Sequence, residues 1–141
     1  MDNIFWFRRD LRLQDNVALN EAISAAKNEL GKVALCFSIE PKSFEKLSGV
    51  RQLSLIESAK ALSDSVAGNL ILKFREADDA LVELAHKLKV KTVFATRAFD
   101  PAGIEQQNRV GFALQRLDDT LQALLKVTTV FGTGQQSAHV Q

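Results

Sequence analysis

A chain of 141 residues, 46% hydrophobic and 25% charged, has the size and balance of one ordinary globular domain with its own core. A formal net charge of +1 gives no general hold on a nucleic-acid backbone, which argues against a free-standing DNA binder with a basic face. No apolar run reaches the roughly 18 residues that span a bilayer, Met1-Asp2-Asn3 does not open a secretory signal, and the lone Cys36 has no internal disulfide partner, so a cytoplasmic location with no membrane partner is expected.

Residues 4–7 (Ile-Phe-Trp-Phe) form a compact apolar strand. Asp15 is placed as a helix N-cap; Leu19, Ala22, Ile23, Ala26 and Leu30 follow at helical spacing, and Gly31 is placed to end that helix. The second strand covers 33–39, where Cys36 reads as a small buried hydrophobe. Ser48 caps the next helix, whose apolar face is Leu55, Ala59, Leu62 and Val66. Gly68-Asn69 supplies a turn before a third strand at 70–74. The cleanest helical stripe is Ala77, Ala80, Leu81, Leu84, Ala85 and Leu88, with His86 on its polar side. A fourth strand at 91–96 leads to Asp100-Pro101, an N-cap followed by proline at the first helical position. Val110, Leu114, Leu117, Leu121 and Leu124 continue one face, as a long helix or as two with a break near 118–119. A fifth strand is placed at 127–131, and the small, polar residues 132–141 are expected to be a flexible tail.

This alternation predicts an α/β domain over 1–131, a three-layer, Rossmann-like, doubly wound five-stranded parallel sheet with helices on both faces. Such sheets bind ligands outside the carboxyl ends of their strands, where strand order reverses. The residues that matter are therefore those just after each strand: Arg8, Arg9 and Asp10; Ser38 and Glu40; Arg75 and Glu76; Arg97, Ala98, Phe99 and Asp100. No Gly-x-Gly-x-x-Gly follows a strand, no helix follows Gly132-Thr133-Gly134, and there is no Gly-Lys-Ser/Thr phosphate loop. One cysteine and two distant histidines, His86 and His139, make no metal-ligand cluster. No catalytic residue is assigned.

The densest signal is the turn after the first strand. Arg8, Arg9 and Arg12 alternate with Asp10 and Asp15, and arginine's planar fork suits bidentate pairing that would stiffen the loop. The alternative is a solvated charge run, each exposed pair contributing about 0–1 kcal/mol. Composition alone favours the second.

The whole segment, Trp6-Phe7-Arg8-Arg9-Asp10-Leu11-Arg12 through Asp15-Asn16-Val17-Ala18-Leu19, closely resembles the opening of the DNA photolyase/cryptochrome family. Ser48-Gly49-Val50-Arg51 is similar to that family's Ser-x-x-Arg helix start, and Phe99-Asp100-Pro101 with Glu105 to its aromatic-acid-proline segment. Glu105-Gln106-Gln107-Asn108-Arg109 departs from the family's Glu-Arg-Asp-like run, as does everything from Gly132 onward.

Over roughly residues 3–131 the resemblance implies the N-terminal antenna-chromophore domain of a deoxyribodipyrimidine photolyase-like protein, which as a whole repairs pyrimidine dimers in DNA with light. It implies an antenna pigment, methenyltetrahydrofolate or a deazaflavin. FAD and the damaged DNA would belong to a helical domain with no counterpart here. That domain is the expected partner, and the isolated chain is expected to be inactive as a lyase and either to self-associate or to be only modestly stable. The resemblance assigns Arg8, Arg9 and Asp10 to the pocket edge or inter-domain contact, Ser38 to a hydrogen bond with pigment, and Arg51 to an anionic tail. Phe99 is assigned a stacking face and Asp100 an acceptor, with an N-cap the competing role for Asp100; Trp6 and Phe7 are assigned to the core. Two other readings stand beside it: a nucleotide-binding or stress-type α/β protein, which would need the missing glycine-rich loop, and a cryptochrome-like regulatory or interaction domain without pigment.

Overall fold

Every residue of β1 (Asn3–Phe7) is buried. A strand whose side chains alternate between two faces can bury all of them only as an interior strand covered on both sides. The computed structural model, which describes residues 2–8, 11, 13, 16–27, 32–116, 123–131 and 134–140, places it so. Ile4 and Trp6 enter one core with Leu81, Leu84, Val110 and Leu114. Phe5 and Phe7 enter another with Leu19, Ala22, Ala59 and Leu62.

On one side β1 pairs with β2 (Val33–Ser38), which pairs with β3 (Leu70–Lys73); on the other it pairs with β4 (Thr92–Thr96), which pairs with β5 (Leu124–Phe131), all parallel. The five parallel strands are the expected ones. The switch point lies between β1 and β4, where the chain leaves one half of the sheet for the other. Helices α1 (Val17–Ala25) and α3 (Gly49–Ser65) supply the core on the Phe5 face. Helices α4 (Ala77–Leu88) and α5 (Pro101–Gln115) supply it on the Trp6 face.

Several local expectations are corrected. Residues 132–141, expected to be a tail, contain β6 (Gly134–Val140), which pairs antiparallel with β5. The open edge of β5 offers backbone partners, and pairing satisfies main-chain groups whatever the side chains are. Leu124 begins β5 instead of extending a helical face. Leu117, Leu121 and the suggested break at 118–119 lie outside the described residues, as do Asp15 and Gly31. The described cap of α1 is Asn16, 2% exposed, whose side chain accepts the Leu19 N–H at 3.1 Å. A short helix that the periodicity did not reveal, α2 (Pro41–Glu45), follows β2.

Other signals hold. The Ser48 hydroxyl accepts the Arg51 N–H at 3.3 Å and starts α3. Gly68 takes the positive φ of +77° that its turn requires. Ala77, Ala80, Leu81, Leu84 and Ala85 are buried along α4, and His86 is exposed. Cys36 is fully buried, and loss of solvation pushes its thiol up to about 12. Among the described residues, no helix is long and apolar enough to cross a membrane.

Candidate functional site

The registers Phe7↔Phe37, Ser38↔Lys73 and Thr96↔Thr128 align the carboxyl ends of the strands. At that edge lies a cavity of about 430 Å³. Its inner wall is Phe37, Ser38, Ile39 and Glu40, where β2 runs out. Ser43 and Phe44 of α2, Leu47 after it and Leu55 of α3 close the outside. Arg8 and Leu11, beyond β1, and Ala102, Gly103 and Gln106, in the first turns of α5, form the rest. A mostly apolar concavity with a few fixed polar groups suits a small organic ligand.

Arg8 ties this rim together. Its Nη2 donates to the Gly103 carbonyl at 2.6 Å and to Gln106 Oε1 at 2.8 Å. Nε reaches Gln106 Oε1 at 3.2 Å, while Nη1 lies 3.4 Å from both the Thr96 carbonyl and Gln107 Oε1. The guanidinium also sits over the Trp6 ring, 4.7 Å from its centre. Arg8 is thus a bracket between β1, β4 and α5. The close approach needs Gly103: a Cβ there would fall 2.7 Å from Asp100 Oδ1 and 2.8 Å from the Ala98 Cβ.

The Ser38 hydroxyl donates to the Arg75 carbonyl at 2.6 Å, closing the β2–β3 end, and the residue also lines the cavity. Arg75 itself turns away to Glu83, whose carboxyl that hydrogen bond and charge hold below the ordinary value. Asp100 accepts the Gly103 N–H at 3.0 Å as the α5 N-cap. Arg51 is exposed on α3, and Phe99 is 54% exposed. Of the seven expected ligand residues, then, Arg8 and Ser38 meet at the cavity. Arg51, Phe99 and Asp100 are not among its described lining residues, and Arg9 and Asp10 lie outside the described residues.

Two residues without a role in the sequence reading proved central. Gln106 and Gln107 receive Arg8, and Gln107 also accepts the Ala98 N–H at 3.0 Å, pinning the loop after β4. Their signal was present as the i, i+3, i+4 spacing of Gly103, Gln106 and Gln107, which puts all three on one face of the first turns of α5. Glu40 was marked only as a strand-end residue. Its side chain is 11% exposed, and Oε2 accepts the Ala77 N–H at 2.8 Å and Arg109 Nη2 at 2.5 Å. Arg109 also faces Asp78 Oδ1 at 3.2 Å and Glu105 Oε1 at 3.5 Å. Among the described residues no group of acids, histidines or cysteine is arranged to hold a metal ion.

A family profile described as DNA photolyase matches residues 3–136. The chain is 36% identical over 104 residues to the deoxyribodipyrimidine photo-lyase of Agrobacterium fabrum, covering 72% of this chain and 21% of that protein. An archaeal photolyase from Sulfolobus tokodaii, solved with two FAD molecules and discussed in terms of a novel light-harvesting cofactor, superposes with a TM-score of 0.70 at 27% identity. That match covers 82% of this chain and 27% of the other. A Synechocystis cryptochrome shares the fold with a TM-score of 0.77 at 20% identity, over 90% of this chain and 27% of its own. The chain therefore spans only about a fifth to a quarter of the length of these proteins.

Proposed function

The chain belongs to the DNA photolyase family, and on that premise we propose that it is an antenna domain, housing a light-harvesting pigment at the carboxyl edge of its sheet. The observation that carries the reading is the cavity of about 430 Å³ at that edge, in a chain that has no glycine-rich phosphate loop. Phe37, Phe44, Leu11 and Leu55 provide apolar walls for a planar ring. Ser38, Ser43 and Gln106 provide polar atoms, and because the Gln106 oxygen is taken by Arg8, its amide nitrogen is the end left to donate.

Arg51 stands one helical turn before Leu55 on α3, where a cation would meet an anionic tail leaving the cavity. Arg9 and Asp10, as members of the same motif as Arg8, are assigned to the pocket edge or to the inter-domain contact. Exposed Phe99, beside the Asp100 cap, is assigned to the contact with a neighbouring domain. A bound methenyltetrahydrofolate or deazaflavin would absorb near-ultraviolet or blue light and pass the excitation on. What this domain itself contributes is position and exclusion of water. The receiving FAD, and through it pyrimidine-dimer repair, is assigned to a helical domain docked on this one in a cytoplasmic protein.

Exposed apolar side chains support the need for such a partner: Val50, Leu53 and Ile56 on α3 are 81%, 57% and 48% exposed. By itself the chain is expected to self-associate, which sedimentation at rising concentration would reveal as a growing average mass.

The test is reconstitution. The purified chain, mixed with methenyltetrahydrofolate or 8-hydroxy-5-deazariboflavin and gel-filtered, should retain near-ultraviolet to blue absorbance and show quenched Trp6 emission. Leu55→Trp, which fills the cavity, should abolish the retained absorbance. Retention of ATP instead would favour a nucleotide-binding protein, and retention of nothing would favour an interaction domain.

A further inference from the structure

A guanidinium carries N–H donors and no acceptor. Two nitrogens of Arg8, Nε at 3.2 Å and Nη2 at 2.8 Å, reach the same end of the Gln106 side chain. That end must be the oxygen, because turning the amide over would set N–H against N–H. The Gln106 Nε2 has no hydrogen-bond partner among the described residues, and the residue is half-buried and lines the cavity. Gln106 is thus a donor of fixed direction. The oxygen of Gln107 is held in the same way, 3.4 Å from Arg8 Nη1 and 3.0 Å from the Ala98 nitrogen, but Gln107 is 5% exposed and is not among the described lining residues. The β2 wall has the reverse polarity. The one hydroxyl hydrogen of Ser38 goes to the Arg75 carbonyl, which leaves this lining residue with lone pairs only. Glu40, also on the lining, serves Ala77 and Arg109 as an acceptor.

We propose that Gln106 is the specificity-determining residue of this cavity, selecting ring systems that carry a lactam, a carbonyl oxygen beside an N–H. The inference rests on the pigment reading and narrows it to a chemical class. A ring carbonyl takes the Gln106 donor, and the adjoining N–H suits the acceptors of the β2 wall. A ring with amino groups in place of its carbonyls brings donor against donor at Gln106 and leaves that donor without a partner, which is the strongest means by which a polar site rejects a near-isostere. Arg8 acts here as a positioning residue: it sets which end of Gln106 a ligand meets.

Two probes of one outline test this on the full 141-residue chain: lumazine, which is pteridine-2,4-dione, and 2,4-diaminopteridine, in which amino groups replace both carbonyls. Lumazine should bind about tenfold more tightly, the cost of leaving one half-buried donor unmatched. Gln106→Glu keeps an oxygen for Arg8 and removes the donor. Its urea midpoint should not fall, and its preference should reverse toward the diamino ring. A merely structural role would weaken both probes together. In the wild-type chain the Gln106 side-chain amide protons, identified by their loss in the variant, should shift with lumazine and stay in place with the diamino ring.

Equal Kd values for the two rings, or a preference that Gln106→Glu leaves unchanged, overturn the role of Gln106 and leave the pigment reading standing. Selective uptake of lumazine, reversed in Gln106→Glu, by a chain that retains neither methenyltetrahydrofolate nor 8-hydroxy-5-deazariboflavin supports the role of Gln106 and sinks the pigment reading. Uptake of none of the four overturns both.

Discussion

Removing the Arg8 side chain with Arg8→Ala separates a structural bracket from a solvated charge run. The two shortest bonds, 2.6 Å to the Gly103 carbonyl and 2.8 Å to Gln106, are charge-assisted and contribute about 1.5 kcal/mol each. Stacking on Trp6 adds about 0.5–1 kcal/mol, and the two contacts at 3.4 Å add little. Because Arg8 is only half-buried, water can replace part of what is lost, and the expected cost is about 3 kcal/mol. For a chain of this length that lowers Tm by about 10 °C, at roughly 3 °C per kcal/mol. Arg8→Lys should recover less than half, since one ammonium cannot serve Gly103 and Gln106 together while stacking on the indole. Trp6, the only tryptophan, reports urea unfolding directly, and the midpoint should fall without a change in slope. An Arg8→Ala protein within about 0.5 kcal/mol of wild type, the range of an ordinary surface change, would refute the bracket.

The buried Cys36 thiol, raised to about 12, should resist thiol reagents at neutral pH and react only as the chain unfolds. Labelling of the native protein within seconds would contradict this. Asn16→Ala should cost about 1–2 kcal/mol, because the cap side chain is buried, whereas Ser48→Ala, at an exposed cap, should cost less than about 1 kcal/mol; paired urea curves compare them. Gly103→Ala should cost about 1–3 kcal/mol through overpacking against Asp100 and Ala98. It should also disturb the Arg8 bond to the Gly103 carbonyl, visible as a change in Trp6 emission.

Much of the fold was legible because its signals are local. The apolar run at Ile4–Phe7, the i, i+3, i+4 stripe of Ala77 to Leu84 and the Ser48 and Asp100-Pro101 starts each act through neighbours within one or two turns. The candidate site was less legible because its contacts are distant. Arg8 and Gln106 are 98 residues apart, and Glu40 and Arg109 are 69. The Gln106-Gln107 pair reads in sequence as a departure from a family pattern. In the fold it is the acceptor for the same arginine that dominates the opening motif. Arg51 and Phe99 stand in family-like segments, yet neither is among the described lining residues of the cavity, since motif membership does not specify which way a side chain faces.

By itself the amino-acid order determined the five parallel strands, the four longer helices, the covering of the sheet on both faces and the family kinship, all consequences of side-chain periodicity and of an unusually long charged motif. Only the tertiary structure decided that β6 completes the sheet, that Arg8 braces α5, and that Glu40 caps a helix begun 37 residues later. Those outcomes depend on strand order and register, which place backbone groups and charges side by side, and no spacing along the chain encodes them.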